Sequence, residues 1–335
     1  MTQSLLISLI FVSTSAFFSW LITKYFLQHA PSLGLVDVPN ERSSHTQITL
    51  RGGGIGFVVT ISMVSLALIL TNQLETYFSL ALPIGGCLVA YIGWTDDRFQ
   101  LSAKKRLFTH LFAAFLVAWS LFDFTPLTQL FLLLATTFYI AWMINLYNFM
   151  DGTDGIAGVE AFTASLWLGL HAQLADSSAL SILFWCITTS SFAFLYFNFP
   201  PAKVFMGDVG SGFLGFFFGA ITIYAAFKKI IPFESSLILL ALFIVDTSYT
   251  LIVRLYHREK VTQAHRNHAY QHAVQKGWSH SQVAYFTFFT NIFWLGPLSL
   301  GPVFYPLQFP VYLLIAVIPL LAWQVYQRAG ETLNV

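Results

Sequence analysis

Long apolar stretches recur along almost the whole chain, and they constrain its fold more than any other feature. A helix crosses the hydrocarbon layer with about 20 apolar residues, because every backbone polar group there must be hydrogen-bonded within the segment. The chain is 56% hydrophobic and 9% charged, against roughly 25% charged residues in soluble domains. We therefore predict an all-α integral membrane protein, a polytopic bundle of about eleven transmembrane helices. The predicted spans are residues 4–24, 52–70, 76–94, 107–122, 126–147, 156–172, 179–199, 209–227, 235–254, 282–300 and 303–326.

The connections between these spans are too short to hold a soluble domain. The first apolar run, residues 4–23, exceeds the ~7–15 residue core of a signal peptide and lacks a small-residue cleavage site, so we interpret it as a retained span. We predict a single transmembrane domain over residues 1–335. The predicted cytoplasmic loops are residues 28–51, 95–106, 148–155, 200–208 and 255–281.

The distribution of lysine and arginine predicts the orientation. These residues favour the cytoplasmic side of short loops, and all except Lys228 and Lys229 fall at one set of alternate connections. The N-terminus is therefore predicted outside and the C-terminus in the cytoplasm. The net charge of +1 provides no overall field that would attract nucleic acid.

An acidic pair follows the third apolar stretch directly. Asp96 and Asp97 are costly at a membrane boundary unless they are solvated, paired or bound to a cation. They suit Mg2+, which commonly uses one or two carboxylates together with substrate phosphate oxygens. The alternative is a pair of solvated residues that end a helix. Lys104, followed by Lys105 and Arg106, could hold a lipid phosphate or serve as an ordinary positive-inside anchor.

Further polar residues lie in two glycine-containing loops. Asn148, Asp151 and Asp154 recur every third residue in NFMDGTDG and would share roughly one face of a helical turn. They could bind a metal or a sugar nucleotide, or simply form a polar turn. Asp208 in VFMGDVGSGF could complete a metal site, and the alternative is that it caps the following helix.

Five of the nine histidines lie in residues 257–280, together with several cations. His265 and His268 are three residues apart and could present ring nitrogens, with the Arg266 guanidinium, to a diphosphate. Zinc is disfavoured because no cysteine or well-placed carboxylate is near in sequence. All these loops are predicted on the cytoplasmic side, which favours a single site for transfer between a diphosphate and a lipid phosphate.

In this order the motifs resemble the polyprenyl-phosphate N-acetylhexosamine 1-phosphate transferase family, which has MraY-like and WecA-like members. The resemblance is carried by DVPNERSSH with RGGG, TDDRFQLSAKKRL, NLYNFMDGTDGIAG, VFMGDVGSGFLG and AHRNHAYQH. It implies a helical protein of the bacterial cytoplasmic (inner) membrane with its active site on the cytoplasmic face. It also implies a UDP-N-acetylhexosamine donor, undecaprenyl phosphate as acceptor and Mg2+ as cofactor, with Mn2+ as a substitute. Membrane lipids are further partners, and a homodimer is compatible with the resemblance.

The family pattern also implies residue roles. Asp96 and Asp97 would be catalytic, with Asp96 a candidate base for the acceptor phosphate, and Asn148 and Asp208 would hold Mg2+. The residues expected to bind substrate are Asp151, Asp154, His265, Arg266, His268 and Lys104. The loop from Asp37 to Gly54 resembles a flexible active-site flap, with ITLRGGG in place of the more usual PTPRGGG.

The forms DVPNERSSH and HRNHAYQ look closest to the WbpL-like branch of the family, which starts O-antigen chains with 6-deoxy amino sugars. We therefore expect transfer of a (6-deoxy) N-acetylhexosamine 1-phosphate to undecaprenyl phosphate, release of UMP, and initiation of O-antigen or related cell-envelope polysaccharide synthesis. UDP-GlcNAc and UDP-MurNAc-pentapeptide are alternative donors within the family.

Two alternatives from outside the family are a polytopic lipid or solute transporter and a CDP-alcohol phosphatidyltransferase. The DGxxAR signature of the phosphatidyltransferases is absent from DGTDG and DGIAG. Within the family mechanism, sequence leaves open a direct displacement or a two-step route through an aspartyl-phosphate, because a carboxylate can act as base or nucleophile.

Overall fold

Helices make up most of the protein, as the apolar stretches predict. The computed structural model describes residues 3–37, 48–71, 73–74, 76–122, 127–260 and 265–332. Its helices are α1 (Gln3–His29), α2 (Ile55–Leu70), α3 (Thr76–Phe99), α4 (Ala103–Leu121), α5 (Leu127–Met150), α6 (Ile156–Leu174), α7 (Ser178–Asn198), α8 (Asp208–Phe227), α9 (Phe233–Leu239), α10 (Ala241–Tyr256), α11 (Ala269–Gln275), α12 (His280–Thr290), α13 (Gly296–Ser299), α14 (Gly301–Phe304) and α15 (Phe309–Gln327). The main exception to the all-α prediction, within these ranges, is an antiparallel pair of two-residue strands, β1 (Val36–Asp37) and β2 (Thr49–Leu50).

The protein is a polytopic helical membrane protein. Seven helical segments of the described chain are long and apolar enough to cross a membrane, or eight if the bent pair α9–α10 is one span. Every segment predicted as a span is helical, although α2 has 16 residues and polar side chains lower the hydropathy of α4 and α6. The count of eleven spans and the orientation stay predictions.

Two predicted spans differ from the observed helices. The segment predicted at 235–254 is bent by 75° where α9 meets α10. The boundary predicted ahead of residue 303 lies after Phe304, because Pro302 occupies the first turn of α14, where its missing N–H breaks no intrahelical bond. The polar loop predicted at 255–281 contains the short helix α11.

Helix α8 lies at the centre of the bundle. Of its most apolar 18 residues 89% are buried, against 17% for α1, and it packs against α3 and α5. Small residues permit the close approach of these helices, which in lipid depends on packing more than on hydrophobicity. A β-carbon at Gly215 would collide with the backbone of Met143 in α5, and one at Gly93 would collide with the backbone of Asp208. The end of α3 is therefore pressed against the start of α8.

The RGGG segment, which follows β2, packs against the chain just before α8. The N–H of Gly53 donates to the carbonyl of Phe205 (2.9 Å), and the N–H of Gly54 donates to that of Met206 (3.0 Å). The N–H of Phe205 in turn donates to the carbonyl of Leu50 (2.8 Å). These glycines are buried, so this part of the expected flap is a packed backbone contact. The rest of DVPNERSSH, the predicted break at residues 123–126 and residues 261–264 lie outside the described residues.

Candidate active site

Two acids from different helices share one arginine at the junction of α3, α4 and α8. Nη1 of Arg106 lies 2.6 Å from Oδ2 of Asp96 and 3.1 Å from Oδ2 of Asp208. Asp96 also accepts a hydrogen bond from the N–H of Leu101, which follows α3. Charge-assisted bonds of this kind are stronger than neutral ones. The ion pair therefore joins the predicted catalytic acid Asp96 to the predicted metal ligand Asp208.

The second acid of the pair, Asp97, caps α8 from outside the helix. Its carboxylate accepts hydrogen bonds from the N–H groups of Asp208 (3.1 Å) and Val209 (3.3 Å). The first N–H groups of a helix have no intrahelical acceptor, and negative charge is favourable there. The Asp97 side chain is 1% exposed. The capping function considered for Asp208 is thus performed by Asp97, and this leaves the Asp208 side chain to face Arg106.

Glycine is required where the chain enters α8. Gly207 has φ of +75°, and a β-carbon there would lie 2.6 Å from Oδ2 of Asp97 and 2.7 Å from the nitrogen of Gly52. Any larger residue would displace the capping carboxylate or the RGGG segment. Gly207 therefore allows three separate chain segments to meet beside Asp208.

A second cation, Arg51, approaches the acids from the RGGG segment. Its Nε is 3.8 Å from Oδ1 of Asp97, and its Nη2 donates to Asp37 at 3.1 Å. Burial opposes the charge of this guanidinium, but the neighbouring carboxylates outweigh burial and raise the pKa of Arg51. Arg51 therefore adds to the positive charge that Arg106 supplies beside these acids.

Asn148 and Asp151 reach the same group of acids. The Asn148 amide donates to Oγ of Ser211, one turn along α8 from Asp208 (3.3 Å). Burial raises the pKa of Asp151 well above its usual range, and the charges of Asp208 and Asp97 raise it further. The structure thus brings together five predicted site residues from three motifs.

Asp154 makes a different set of contacts. One carboxylate oxygen lies 3.1 Å from Nδ1 of His280 at the start of α12, and the other accepts from the N–H of Ala202 (3.0 Å). These bonds tie the DGTDG turn to two neighbouring segments. A function of Asp154 in binding the nucleotide sugar stays a prediction.

The histidine loop is held by an acid in the bent pair α9–α10. Oδ1 of Asp246 lies 3.0 Å from Nδ1 of His268, and the Asp246 carboxylate accepts from the N–H groups of Ala269 and Tyr270 at 3.3 Å each. Asp246 is 2% exposed. The sequence pattern does not identify Asp246 as a site residue, because its partners lie more than 20 residues away in sequence.

Ring stacking and one hydrogen bond dock this loop onto the NFMDGTDG turn. The Tyr270 hydroxyl donates to the carbonyl of Phe149 (2.9 Å), whose ring stacks on His268. His265 stacks on the other histidine with 5.0 Å between ring centroids. Burial, then the charges of His268 and Arg254, lower the pKa of His265 to about 3. His265 is therefore neutral at physiological pH.

The acids Asp96 and Asp208 contact a cation that lies two residues after the predicted Lys104. Lys104 is exposed, whereas Arg106 contacts both acids. Helix α4 begins at Ala103, four residues before the predicted span, and this start places Arg106 in its first turn beside Asp96. The backbone carbonyl of Arg266 accepts from the Gln275 side chain at 2.9 Å. Binding of substrate by Lys104 and Arg266 stays a prediction.

The donor set fits a magnesium ion that is bound partly through substrate. In the described part of the chain, no three His, Cys, Asp or Glu side chains are arranged to hold a metal by themselves. Asp208 and Asn148 offer two hard oxygen donors, and several negative charges concentrate beside them. Mg2+ usually needs only one or two protein carboxylates, since phosphate and water oxygens complete its octahedron.

Comparison with known proteins confirms the family. Residues 79–226, which include four of the acids at this site, match the model of Glycosyl transferase family 4. The matched residues and the names of the relatives support the polyprenyl-phosphate hexosamine 1-phosphate transferase family that the sequence motifs resemble.

The names of similar proteins specify several substrates. The chain is 28% identical over 276 residues to a probable undecaprenyl-phosphate N-acetylglucosaminyl 1-phosphate transferase of Bacillus subtilis, covering 78% of this chain and 75% of the relative. It is 26% identical to the decaprenyl-phosphate N-acetylglucosaminephosphotransferase of Mycolicibacterium smegmatis, covering 86% and 79%. A phospho-N-acetylmuramoyl-pentapeptide-transferase of Endomicrobium trichonymphae is 29% identical, covering 61% and 66%.

Proposed function

We propose that the protein transfers an N-acetylhexosamine 1-phosphate from a UDP-sugar to undecaprenyl phosphate and releases UMP. The observation that carries the proposal is the group of Asp96, Asp97, Asp208, Arg51 and Arg106, which gathers at the ends of separate helices of a membrane protein. Acids and guanidinium groups at a membrane boundary suit a lipid phosphate and a diphosphate. The names of two similar proteins, which specify undecaprenyl phosphate and decaprenyl phosphate, support the same reaction.

The proposed reaction is a single displacement. An oxygen of the acceptor phosphate forms a bond to the sugar-linked phosphorus of the donor. The bond between that phosphorus and the oxygen bridging to UMP breaks, and UMP leaves with the bridging oxygen. Arg106 binds a phosphate beside Asp96, which is the candidate base for the acceptor. In the two-step alternative, an aspartate carboxylate attacks the phosphorus first and UMP leaves. The acceptor phosphate then attacks the aspartyl-phosphate and releases the carboxylate.

Asp208 and Asn148 would hold Mg2+ or Mn2+, which supplies positive charge to the phosphate oxygens when bound. Asp97 fixes the backbone at the start of α8, so that the Asp208 side chain is presented to the phosphates. Its capping bonds make Asp97 a positioning residue in this structure, and its catalytic function remains part of the proposal.

The donor side of the site is formed by the histidine loop and the NFMDGTDG turn. Their docking through Tyr270 and Phe149 supports a pocket that includes Asp151, His265 and His268. The donor we propose is a UDP-linked (6-deoxy) N-acetylhexosamine. The proposed product initiates O-antigen or a related polysaccharide. The proposed site is on the cytoplasmic face of the bacterial inner membrane. The sequence HRNHAYQ in the histidine loop supports the WbpL-like branch, and therefore a 6-deoxy donor, over the UDP-GlcNAc and UDP-MurNAc-pentapeptide alternatives.

A radiolabelled transfer assay tests the proposal. Purified protein is incubated with Mg2+, undecaprenyl phosphate and each of four labelled donors: UDP-N-acetylfucosamine, UDP-N-acetylquinovosamine, UDP-GlcNAc and UDP-MurNAc-pentapeptide. We expect acceptor-dependent lipid labelling with stoichiometric UMP release, and the fastest turnover with a 6-deoxy donor. Absence of UMP release with every donor would reject the reaction, and preference for another donor would reject only the branch.

The same preparation separates the alternatives. A transporter moves label across proteoliposomes without UMP formation. Trapping of a phosphosugar on the protein when acceptor is omitted would establish the two-step route, because direct displacement forms no covalent enzyme species.

A further inference from the structure

One acid of the helical bundle lies apart from the acids and arginines of the candidate site. Glu160 is four residues after the start of α6 and is fully buried. Its Oε2 accepts a hydrogen bond from the Asn291 amide at 2.7 Å, whereas its Oε1 has no hydrogen-bond partner among the described residues. None of the ion pairs found within the described ranges includes Glu160. An ionised carboxylate here would be a buried charge without a counter-charge, which is costly in a membrane protein.

The hydrogen bonds of Asn291 show what this pair lacks. Its amide donates both hydrogens to α6, one to Glu160 and one to Oγ1 of Thr163 at 2.8 Å. Oδ1 of Asn291 is then a second buried oxygen without a partner in the described part of the chain. A proton on Oε1 of Glu160 would remove the unpaired charge and convert that oxygen from an acceptor into a donor. The contact therefore favours a neutral carboxyl group beside a neutral amide.

Asn291 also begins a π-helical turn, Asn291–Leu295, that continues α12. The N–H of Gly296 donates to the carbonyl of Asn291 five residues earlier. Residues five apart lie about 140° from each other around an α-helix, whereas a π turn brings them nearer to one face. A β-carbon at Gly296 would collide with the indole ring of Trp167 in α6. Both ends of the π turn therefore pack against α6.

The other end of α12 contacts the DGTDG turn, which precedes α6. His280 is the first residue of α12, and its Nδ1 lies 3.1 Å from Oδ1 of Asp154. Polar contacts thus hold α12 at its first residue and at Asn291, which follows its last residue. A shift of Asn291 along α6 would tilt α12 and move His280 relative to Asp154. The buried contact and the predicted donor-binding residue are therefore connected through one helix.

We propose that Glu160 is a neutral positioning residue, which holds the π turn on α6 and thereby aligns His280 with Asp154 on the donor side of the site. The proposal rests on the proposed function, which defines that side. A protonated carboxyl group suits this position because it offers one donor and one acceptor without burial of a charge. Π turns are rare and occur frequently at functional sites, which agrees with a function beyond packing.

Infrared spectroscopy tests the protonation of Glu160 in the full-length protein. At neutral pH, the difference spectrum between wild type and Glu160→Gln should contain the C=O band of a protonated carboxyl group, lost in the variant. Loss of carboxylate bands instead would overturn the neutral assignment. This measurement needs no turnover. Absence of UMP release with every donor would therefore reject the proposed function, while the state of Glu160 would still be decided.

Steady-state kinetics test the positioning. Glu160→Leu should raise the donor KM by about three- to tenfold and leave the acceptor KM unchanged. Glu160→Gln keeps a donor and an acceptor, and it should restore most of the wild-type donor KM. In a His280→Ala background, Glu160→Leu should cause no further rise, because the contact through which it acts is absent. Thr163→Val, which removes one of the two amide contacts, replaces Glu160→Leu if that variant does not fold.

His171→Leu is the matched control. Nε2 of His171 lies 2.8 Å from Oγ of Ser299, so this variant also removes a buried polar contact of α6, about 16 Å farther along the helix. It should lower the melting temperature and leave the donor KM unchanged. An equal rise in donor KM in His171→Leu would overturn the positioning function, as would additive effects of Glu160→Leu and His280→Ala. A donor KM as high in Glu160→Gln as in Glu160→Leu would contradict the neutral carboxyl group.

Discussion

The two sides of the site are built from the same residue type in different ways. On the acid side, Asp96 and Asp208 face the shared cation Arg106. On the histidine side, Asp246 accepts hydrogen bonds from backbone N–H groups and contacts the imidazole of His268. Asp97, which lies next to the acid side, also accepts hydrogen bonds from backbone N–H groups. The two kinds of acid differ in what they hold: Asp97 and Asp246 accept N–H groups at a helix start, whereas Asp208 contacts the side-chain guanidinium of Arg106. We therefore infer that Asp97 and Asp246 are framework acids and that Asp208 is a substrate-facing acid.

The largest effect is expected at Asp208. Asp208→Asn removes a charged ligand that faces the phosphates, so turnover should fall by about 10²–10³-fold, the scale for losing one preorganised electrostatic group. Thermal unfolding in detergent should stay close to wild type, because this carboxylate caps no backbone. Asp176→Asn, at an exposed loop position, is the matched control. Activity of Asp208→Asn near wild type would remove this residue from the acid side.

Asp97→Asn should lower both activity and stability. One amide oxygen replaces two charged oxygens that cap α8, at a cost of about 1–3 kcal/mol for a buried bond lost. The comparison is the difference in melting temperature between Asp97→Asn and Asp208→Asn, measured by tryptophan fluorescence. Equal melting temperatures for the two variants would contradict the division into framework and substrate-facing acids.

Loss of Asp246 should act on the donor. Asp246→Asn weakens the hold on His268 and the start of α11, and we expect the donor KM to rise about tenfold, equivalent to ~1.4 kcal/mol, with little change in acceptor KM. His268→Ala should produce the same separation of the two KM values. A rise confined to the acceptor KM would show that the histidine side affects binding of the acceptor and not of the donor.

The smallest effect concerns pH. The pKa of His265 is lowered to about 3 in the folded protein, so the folded state disfavours its protonation. Stability from this residue is complete above the unfolded pKa of ~6.5 and is lost as pH falls below it, since the unfolded chain then binds a proton first. Between pH 7 and pH 5, the melting temperature of His265→Gln should fall by less than that of wild type. Identical pH dependence would show that His265 is solvated.

The sequence predicted the helical spans well because each is a long apolar stretch, and backbone N–H and C=O groups in the lipid layer must be hydrogen-bonded within the helix. It also predicted that the motifs meet, since each ends a span on the same side. The family resemblance derived from those motifs is confirmed.

Local pattern could not assign the individual acids. Which of Asp97 and Asp208 caps α8 depends on the close approach of α3 at Gly93, a contact between residues more than 100 apart. The contact of Arg106 with Asp96 and Asp208 depends on where α4 begins, and apolar periodicity alone misplaced that start by four residues. Tertiary contacts and helix starts are the two quantities that single-sequence reasoning estimates least well.

One nitrogen of Arg106 contacts two carboxylates, and this arrangement affects the charge of the site before substrate binds. Two partly buried carboxylates with like charge repel each other, and the shared guanidinium offsets that repulsion. In the proposed function, a substrate phosphate would compete for the same guanidinium, and each carboxylate that loses this contact would have an oxygen free to accept a proton or bind a cation. The carboxylates would then become available for reaction only when a substrate phosphate is bound.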